Sequence, residues 1–400
     1  MNKNTYYKNI AETTIAHGAL TNSKRTSCFV EGVYPSHVET GFKCYLTDMN
    51  KQKYIDYICG LGTNLFGYGN LEINEAVKSA LNTGGSAFSL STNLEVELAQ
   101  KFIDTFPFIG RVRFLKTGSE GCSAAIKIAR AFTGRDWIIS DGYHGWHDSF
   151  IGLTPPAHGV IADPYISNTE ENIASKDIAA YIIEPVITDN SKERIARLSQ
   201  LREFCTRNGI LLIFDETITA YRYKDFSVAH HHNIYPDIWI GGKAIAGGLP
   251  LSVVGGKSYV MDTEYFISST WAGDRLAIAA AIKSIELIHG DFHPNELWLY
   301  GEEFLEEFNK ISEYVKIKGY PTRGTFVYPN DKFKALFMQE MCLAGVLFGP
   351  SWFYNKWLHK EKDNVISITK AVIKKILKGH VLLKGGLPKN PYAERIRNAR

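Results

Sequence analysis

Lys243 stands between two glycine pairs, in Ile240-Gly241-Gly242-Lys243-Ala244-Ile245-Ala246-Gly247-Gly248-Leu249-Pro250. Glycines let the backbone turn tightly and let a bulky ligand approach. A lysine amine desolvated in such a place gives up its proton and can attack an aldehyde to form a Schiff base. Alone, the segment reads as a solvated loop. Upstream, Ile210-Leu211-Leu212-Ile213-Phe214 runs into Asp215-Glu216. This pattern predicts a strand buried on both faces with an acid at its C-terminal end, the edge where open α/β sheets bind ligands. A carboxylate there can hold a pyridine nitrogen protonated, the electron sink that pyridoxal phosphate chemistry needs. An isolated acid would read as the cap of the next turn.

A third segment runs Arg113-Phe114-Leu115-Lys116-Thr117-Gly118-Ser119-Glu120-Gly121-Cys122 and on to Arg130. It predicts a short strand, a Thr-Gly-Ser turn and a helix, with Ser119 as a candidate cap. Cys122, Ile126 and Ala129 recur at helical spacing. Free N–H groups and the positive dipole end at the helix start suit a phosphate, although an ordinary capped helix looks the same.

Thr117-Gly118-Ser119-Glu120, Tyr143-His144-Gly145-Trp146-His147-Asp148, Ile183-Glu184-Pro185-Val186, Asp215-Glu216, Gly242-Lys243 and Ser269-Thr270-Trp271-Ala272-Gly273 follow one another in that order. In this order the chain resembles the class III pyridoxal-phosphate-dependent aminotransferases, and within them the glutamate-1-semialdehyde 2,1-aminomutase branch. The resemblance runs from about Gly18 to the C-terminus. It implies fold type I: a large domain with a mostly parallel seven-stranded sheet covered by helices, and a smaller α+β domain. It implies pyridoxal 5′-phosphate as cofactor. Lys243 would form the Schiff base and later move protons at the substrate carbon. Asp215 would pair with the ring nitrogen. Gly118 and Ser119 would hold the phosphate, and Tyr143 would stack on one ring face. Thr270 would reach the cofactor phosphate of a neighbouring subunit in a homodimer. Glu184 would support the site from behind.

The chain departs from the family pattern in places. Thr217 takes the position of a small β-branched apolar residue against the second ring face; it keeps the shape and adds a hydroxyl. Ala220 and Ser269 stand where glycines are common, and Asp274-Arg275 where Asn-Pro is common. For a substrate carboxylate the guanidinium fork is the natural partner. Asn22-Ser23-Lys24-Arg25 resembles an aminomutase segment that contacts that carboxylate, which makes Ser23 and Arg25 the substrate-binding candidates; Arg222 is a further arginine of the set. Tyr354 occupies the place of an aminomutase glutamate, and Trp352, Phe353 and Tyr354 suggest a pocket wall of another shape. The expected activity is transfer of an amino group from an amino donor to a small carbonyl acceptor: an aldehyde, a keto acid or a sugar-derived carbonyl. Intramolecular migration of the aminomutase type is one alternative. A catalytically silent oligomeric scaffold is another. A nicotinamide enzyme would want G-x-G-x-x-G after its first strand, which Thr117-Gly118-Ser119-Glu120-Gly121 does not supply.

These residues need a scaffold. From about 111 to 256, strand-like runs (111–116, 136–140, 179–184, 210–215, 238–241, 251–255) alternate with helical ones, which predicts a mostly parallel α/β sheet. Helices are expected at 73–81, 94–106, 193–208, 276–289, 295–314 and near 363–378. Lys43–Asn50 and Tyr54–Tyr57 predict a β-hairpin, and residues 1–40 a polar arm. Phe326-Val327-Tyr328, Leu336-Phe337-Met338 and Val346-Leu347-Phe348 complete a smaller α+β lobe. The expected boundaries are 1–58 for the arm and hairpin, 59–285 for the cofactor domain and 286–400 for the small domain.

Four hundred residues suffice for a large core and two lobes. The 45 basic and 42 acidic residues nearly balance, and the only basic block is the tail Arg395–Arg400, so nucleic acid is not an expected partner. No apolar run approaches the roughly 20 residues that span a bilayer. The six cysteines form no C-x-x-C pair, and with no apolar leader this points to a reduced, cytoplasmic setting and no zinc site. His230-His231-His232 is expected in a surface loop, and the His144-His147-Asp148 group is assigned to the cofactor rather than a metal.

Overall fold

The computed structural model describes residues 2–153, 159–161, 163–168 and 177–389. The basic tail expected at 395–400 lies outside the described residues. The chain divides into two compact units: residues 71–296, and residues 2–70 together with 297–389.

The larger unit holds seven strands: β1 (Arg111–Leu115), β2 (Trp137–Asp141), β3 (Ile166–Ser167), β4 (Ile178–Ile183), β5 (Leu211–Glu216), β6 (Ile238–Gly241) and β7 (Ser252–Gly256). Their order across the sheet is β1-β7-β6-β5-β4-β2-β3. Only β7 runs antiparallel to its neighbours, and the rest pair in parallel. The fold is the mostly parallel seven-stranded α/β sheet that the sequence leads one to expect. The central strands β4 and β5 are buried at every position, which is why they read as continuous apolar runs. Its longer helices are α1 (Leu71–Asn82), α2 (Asn93–Thr105), α3 (Gly118–Thr133), α4 (Lys192–Asn208) and α5 (Arg275–His289). The apolar face of α3 (Cys122, Ala125, Ile126, Ala129) packs into one core with Ile182, Ile213 and Ile240 of the sheet. Gly209, with φ 61°, ends α4 in the left-handed conformation expected of a glycine stop.

The smaller unit combines a four-stranded sheet (Val38–Phe42, Tyr45–Asp48, Lys53–Asp56, Val346–Leu347) with a three-stranded one (Lys316–Tyr320, Arg323–Val327, Ser351–Phe353). The expected hairpin is Tyr45–Asp48 paired with Lys53–Asp56. Trp352, Phe353 and Tyr354 are buried here, with Trp352 and Tyr354 against the rings of Tyr57 and Phe304. Three readings need correction. The N-terminal arm contains a helix, Lys3–Thr14, whose cap Asn2 accepts from the Thr5 N–H. Leu336-Phe337-Met338 lies inside the helix Asp331–Leu343, because Asn330 caps a helix that the short apolar run conceals. His230–His232 belongs to the short helix Val228–His232, capped by Ser227.

Candidate active site

Asp215 lies one residue from the end of β5, with 6 % of its surface exposed. Its Oδ2 is 2.8 Å from Nδ1 of His144 and 3.2 Å from Sγ of Cys122. Its Oδ1 accepts twice from Thr217, from the backbone N–H at 3.1 Å and from the hydroxyl at 2.6 Å. A carboxylate only accepts, so Nδ1 of His144 carries the proton. Nε2 of His144 is buried with no hydrogen-bond partner among the described residues. Burial alone would push the Asp215 carboxyl up; the His144 bond and charge, with the two Thr217 donors, hold it below the usual carboxylate range. Asp215 is therefore a buried anion at neutral pH. Cys122 is the reverse case: burial, then the charge of Asp215, raises its thiol far above the ordinary value, so it stays an S–H donor.

Cys122, His144 and Asp215 place three ligand-type atoms within 4.8 Å of one another. The His144–Asp215 approach of 2.8 Å is a hydrogen bond. Ligands held about 2.0–2.3 Å from one zinc ion in a tetrahedron stand farther apart than that. The group is a hydrogen-bonded network.

The neighbouring Glu216 has a structural task. It accepts from the N–H groups of Val228 and Ala229, at 2.7 and 2.9 Å, and from the Thr219 hydroxyl at 2.7 Å. It thereby anchors the start of the Val228–His232 helix.

The turn before α3 is built differently from its expected form. Thr117, not Ser119, caps the helix: its side chain accepts from the Glu120 N–H, and Glu120 reaches back to the cap in a capping box. Ser119 is thus spared the capping role, and its Oγ accepts from the Trp146 N–H at 3.3 Å. Gly118 opens the helix. A methyl on Gly118 would meet Cγ2 of Thr217 at 2.7 Å, and one on Gly145 would meet Oγ of Ser119 at 2.2 Å.

Lys243 follows β6 and opens the turn Lys243–Ala246 with φ 45°. A non-glycine residue held there costs about 1–3 kcal/mol, and such strain collects at functional sites. A methyl on the preceding Gly242 would meet Cγ2 of Thr217 at 2.9 Å. Thr217 therefore touches both glycine turns and the carboxylate. The Tyr143 N–H donates to Glu184 Oε1 at 2.9 Å, and 51 % of Tyr143 is exposed.

The structure thus gathers Gly118, Ser119, Asp215, Thr217 and the Gly242-Lys243 turn at the C-terminal edge of the sheet. Thr270 stands exposed between β7 and α5, apart from these contacts. Ser23 and Arg25 belong to the smaller unit, Ser23 in the 3-10 turn Asn22–Lys24. Arg25 follows it, with Nε buried and without a hydrogen-bond partner among the described residues. The sequence reading missed Cys122 as a donor to Asp215; its helical periodicity signalled only burial. Asp274 and Arg275 are also more than departures. Asp274 pairs with Lys116 and accepts from the Ser86 hydroxyl, while Arg275 donates to the carbonyls of Ala80 and Gly85 and to Thr83.

The family model for class III aminotransferases matches residues 31–163 and 161–352. The chain belongs to that family. Among its relatives is the glutamate-1-semialdehyde 2,1-aminomutase of Thermosipho africanus, 29 % identical over 90 % of this chain and 86 % of that protein. The protein of the same description from Neisseria meningitidis serogroup C is 31 % identical over 80 % of this chain and 81 % of its own length. A 3-aminobutyryl-CoA aminotransferase of Cloacimonas acidaminovorans is 30 % identical over 74 % and 75 %. In fold, the FumI protein of Sphingopyxis sp. MTA144, solved in its PLP internal aldimine form, superimposes with a TM-score of 0.86 at 21 % identity over 99 % of this chain and 100 % of that one.

Pyridoxal 5′-phosphate is the cofactor of this enzyme class, and the residues present fit it. A buried carboxylate held ionised suits a protonated ring nitrogen. The glycine-lined start of a 16-residue helix suits a phosphate. A lysine on a glycine turn suits an aldehyde.

Proposed function

We propose that the protein is a pyridoxal-phosphate-dependent aminotransferase that moves an amino group from an amino donor to a small carbonyl acceptor. One observation carries the reading: the buried, ionised Asp215 shares Thr217 with the turn that presents Lys243. When bound, the cofactor supplies an aldehyde carbon and an electron-accepting ring. The chain's own residues do the rest. Asp215 would keep the proton on the ring nitrogen. Gly118, Ser119 and the first N–H groups of α3 would hold the phosphate. Tyr143 and Thr217 would flank the ring. Lys243 would hold the aldehyde carbon, and its amine would serve as the general base that takes the proton from the substrate carbon and returns it on the acceptor side.

Ser23 and Arg25 are the proposed contacts for a substrate carboxylate; the buried Nε of Arg25, without a hydrogen-bond partner among the described residues, supports this. The active form is proposed as a homodimer in which Thr270 reaches the partner's cofactor phosphate. Around Thr270, Phe266 and Trp271 are 82 % and 52 % exposed, apolar surface that a second copy would cover. A reducing, cytoplasmic setting is proposed from the six free cysteines. No helix among the described residues is long and apolar enough to cross a membrane.

A second reading is intramolecular amino migration, favoured by relatives described as aminomutases. Single-turnover reactions separate the two. Holoenzyme given one amino donor and no acceptor should release one equivalent of carbonyl product per site if it is a transferase. Turnover of a single amino aldehyde to its isomer, with no such release, would replace transfer by migration.

A further inference from the structure

We infer that Thr217 is the positioning residue that sets the Asp215 carboxylate, the phosphate turn and the Lys243 turn in register, its hydroxyl fixing the carboxylate and its methyl spacing the two glycine turns. The inference rests on the proposed role of Asp215 and goes beyond ring stacking by a β-branched side chain.

The geometry is specific to the two arms of threonine. The hydroxyl donates to Asp215 Oδ1 at 2.6 Å, alongside the backbone N–H at 3.1 Å. On the other oxygen, His144 Nδ1 and Cys122 Sγ approach to 2.8 and 3.2 Å. A carboxylate has about four lone-pair sites, two on each oxygen, and of these four donors the S–H is the weak one that a ring N–H would replace. Donors therefore grip both edges of its plane, and it cannot rotate about its Cβ–Cγ bond without breaking bonds on both. Of the donors to Oδ1, the hydroxyl is the one a side-chain substitution removes.

The methyl has a separate task. Cγ2 lies 2.7 Å from where a Cβ on Gly118 would sit and 2.9 Å from where one on Gly242 would sit. One carbon thus closes against both glycines. Valine would keep that contact and lose the hydroxyl. Serine would keep the hydroxyl and lose the methyl. The residue therefore splits cleanly into two testable parts, and each part predicts a different readout for the same bound cofactor.

The experiment uses full-length protein reconstituted with pyridoxal phosphate labelled with nitrogen-15 in the ring. It compares wild type, Thr217→Val, Thr217→Ser and Asp215→Asn by ring-nitrogen chemical shift and by cofactor dissociation rate. Thr217→Val is expected to move the ring nitrogen toward its unprotonated shift and to weaken cofactor affinity about tenfold. Thr217→Ser is expected to leave the shift in place and to speed cofactor dissociation several-fold, because only the spacing of the turns is lost. If Thr217→Val matches wild type in shift and affinity while Asp215→Asn changes both, the inference is overturned and the site stands. If Asp215→Asn changes neither, the reading of the site itself falls, and the inference with it. A Thr217→Ser protein that shifts the ring nitrogen as far as Thr217→Val does would overturn the division of labour between hydroxyl and methyl.

Discussion

The Nδ1 of His144 sits 2.8 Å from Oδ2 of Asp215, joining the loop after β2 to the end of β5 inside the core. Without this donor, the burial of Asp215 would push its carboxyl toward the neutral form. His144→Phe keeps a ring and removes the donor. A hydrogen bond to a charged group is worth about 1.5–3 kcal/mol, so cofactor affinity should fall by roughly ten- to a hundredfold. Titration of the apo-protein with cofactor, followed by absorbance, measures this. Unchanged affinity would mean that His144 does not maintain the Asp215 charge.

Gly145, at φ 103°, faces Ser119: an added methyl would meet its Oγ at 2.2 Å and its Cα at 2.7 Å. Gly145→Ala must therefore displace the phosphate turn. The expected outcome is about a tenfold loss of affinity for pyridoxal phosphate with little change for pyridoxal, which lacks the phosphate. Equal losses for both ligands would place the damage elsewhere in the pocket.

Arg275 is buried, and its guanidinium donates to Ala80 O at 3.1 Å, to Gly85 O at 3.0 Å and to Thr83 Oγ1 at 3.0 Å. Arg275→Met removes all three bonds. The variant should be destabilised by about 1.5–3 kcal/mol, the worth of a hydrogen bond to a charged group. Urea unfolding followed by circular dichroism would read this as a lower midpoint. A midpoint equal to wild type would show that the clasp on the loop after α1 carries no net stability.

His232 makes stability pH-dependent. Burial, then the charge of His231, lowers its pKa from 6.5 to about 4. The folded state therefore keeps the ring neutral over a range where the unfolded chain protonates it. Its contribution is complete above about pH 6.5 and is lost as pH falls toward 4. Tyr223 OH, 3.1 Å from Nε2, faces the same ring. His232→Gln should flatten the fall in urea midpoint between pH 7 and 4.5. An unchanged slope would assign that fall to other groups.

Much of the site was legible in the sequence because local chemistry signals it. The strand ending at Asp215 shows as an apolar run, and the Lys243 turn shows as glycine pairs. What was illegible depends on contacts between distant segments. Cys122 and His144 meet Asp215 across 93 and 71 positions, and no periodicity announces that. Thr117 and Ser119 are both good caps by type; the capping box with Glu120 decides between them only once the backbone is set. The strand Ile166–Ser167 is too short to show a period. The histidine run looked like loop because its helix is only five residues long, and its start is held by Glu216 from another part of the chain.

The central claim is that Lys243 is the residue to which the cofactor bonds. Holoenzyme is reduced with borohydride, digested and mapped by mass spectrometry, with Lys243→Ala treated in parallel. The account expects the cofactor's mass on the peptide containing Lys243, loss of the visible absorbance on reduction, and no labelled peptide from the variant. Label on another lysine, or none in wild type saturated with cofactor, would contradict it.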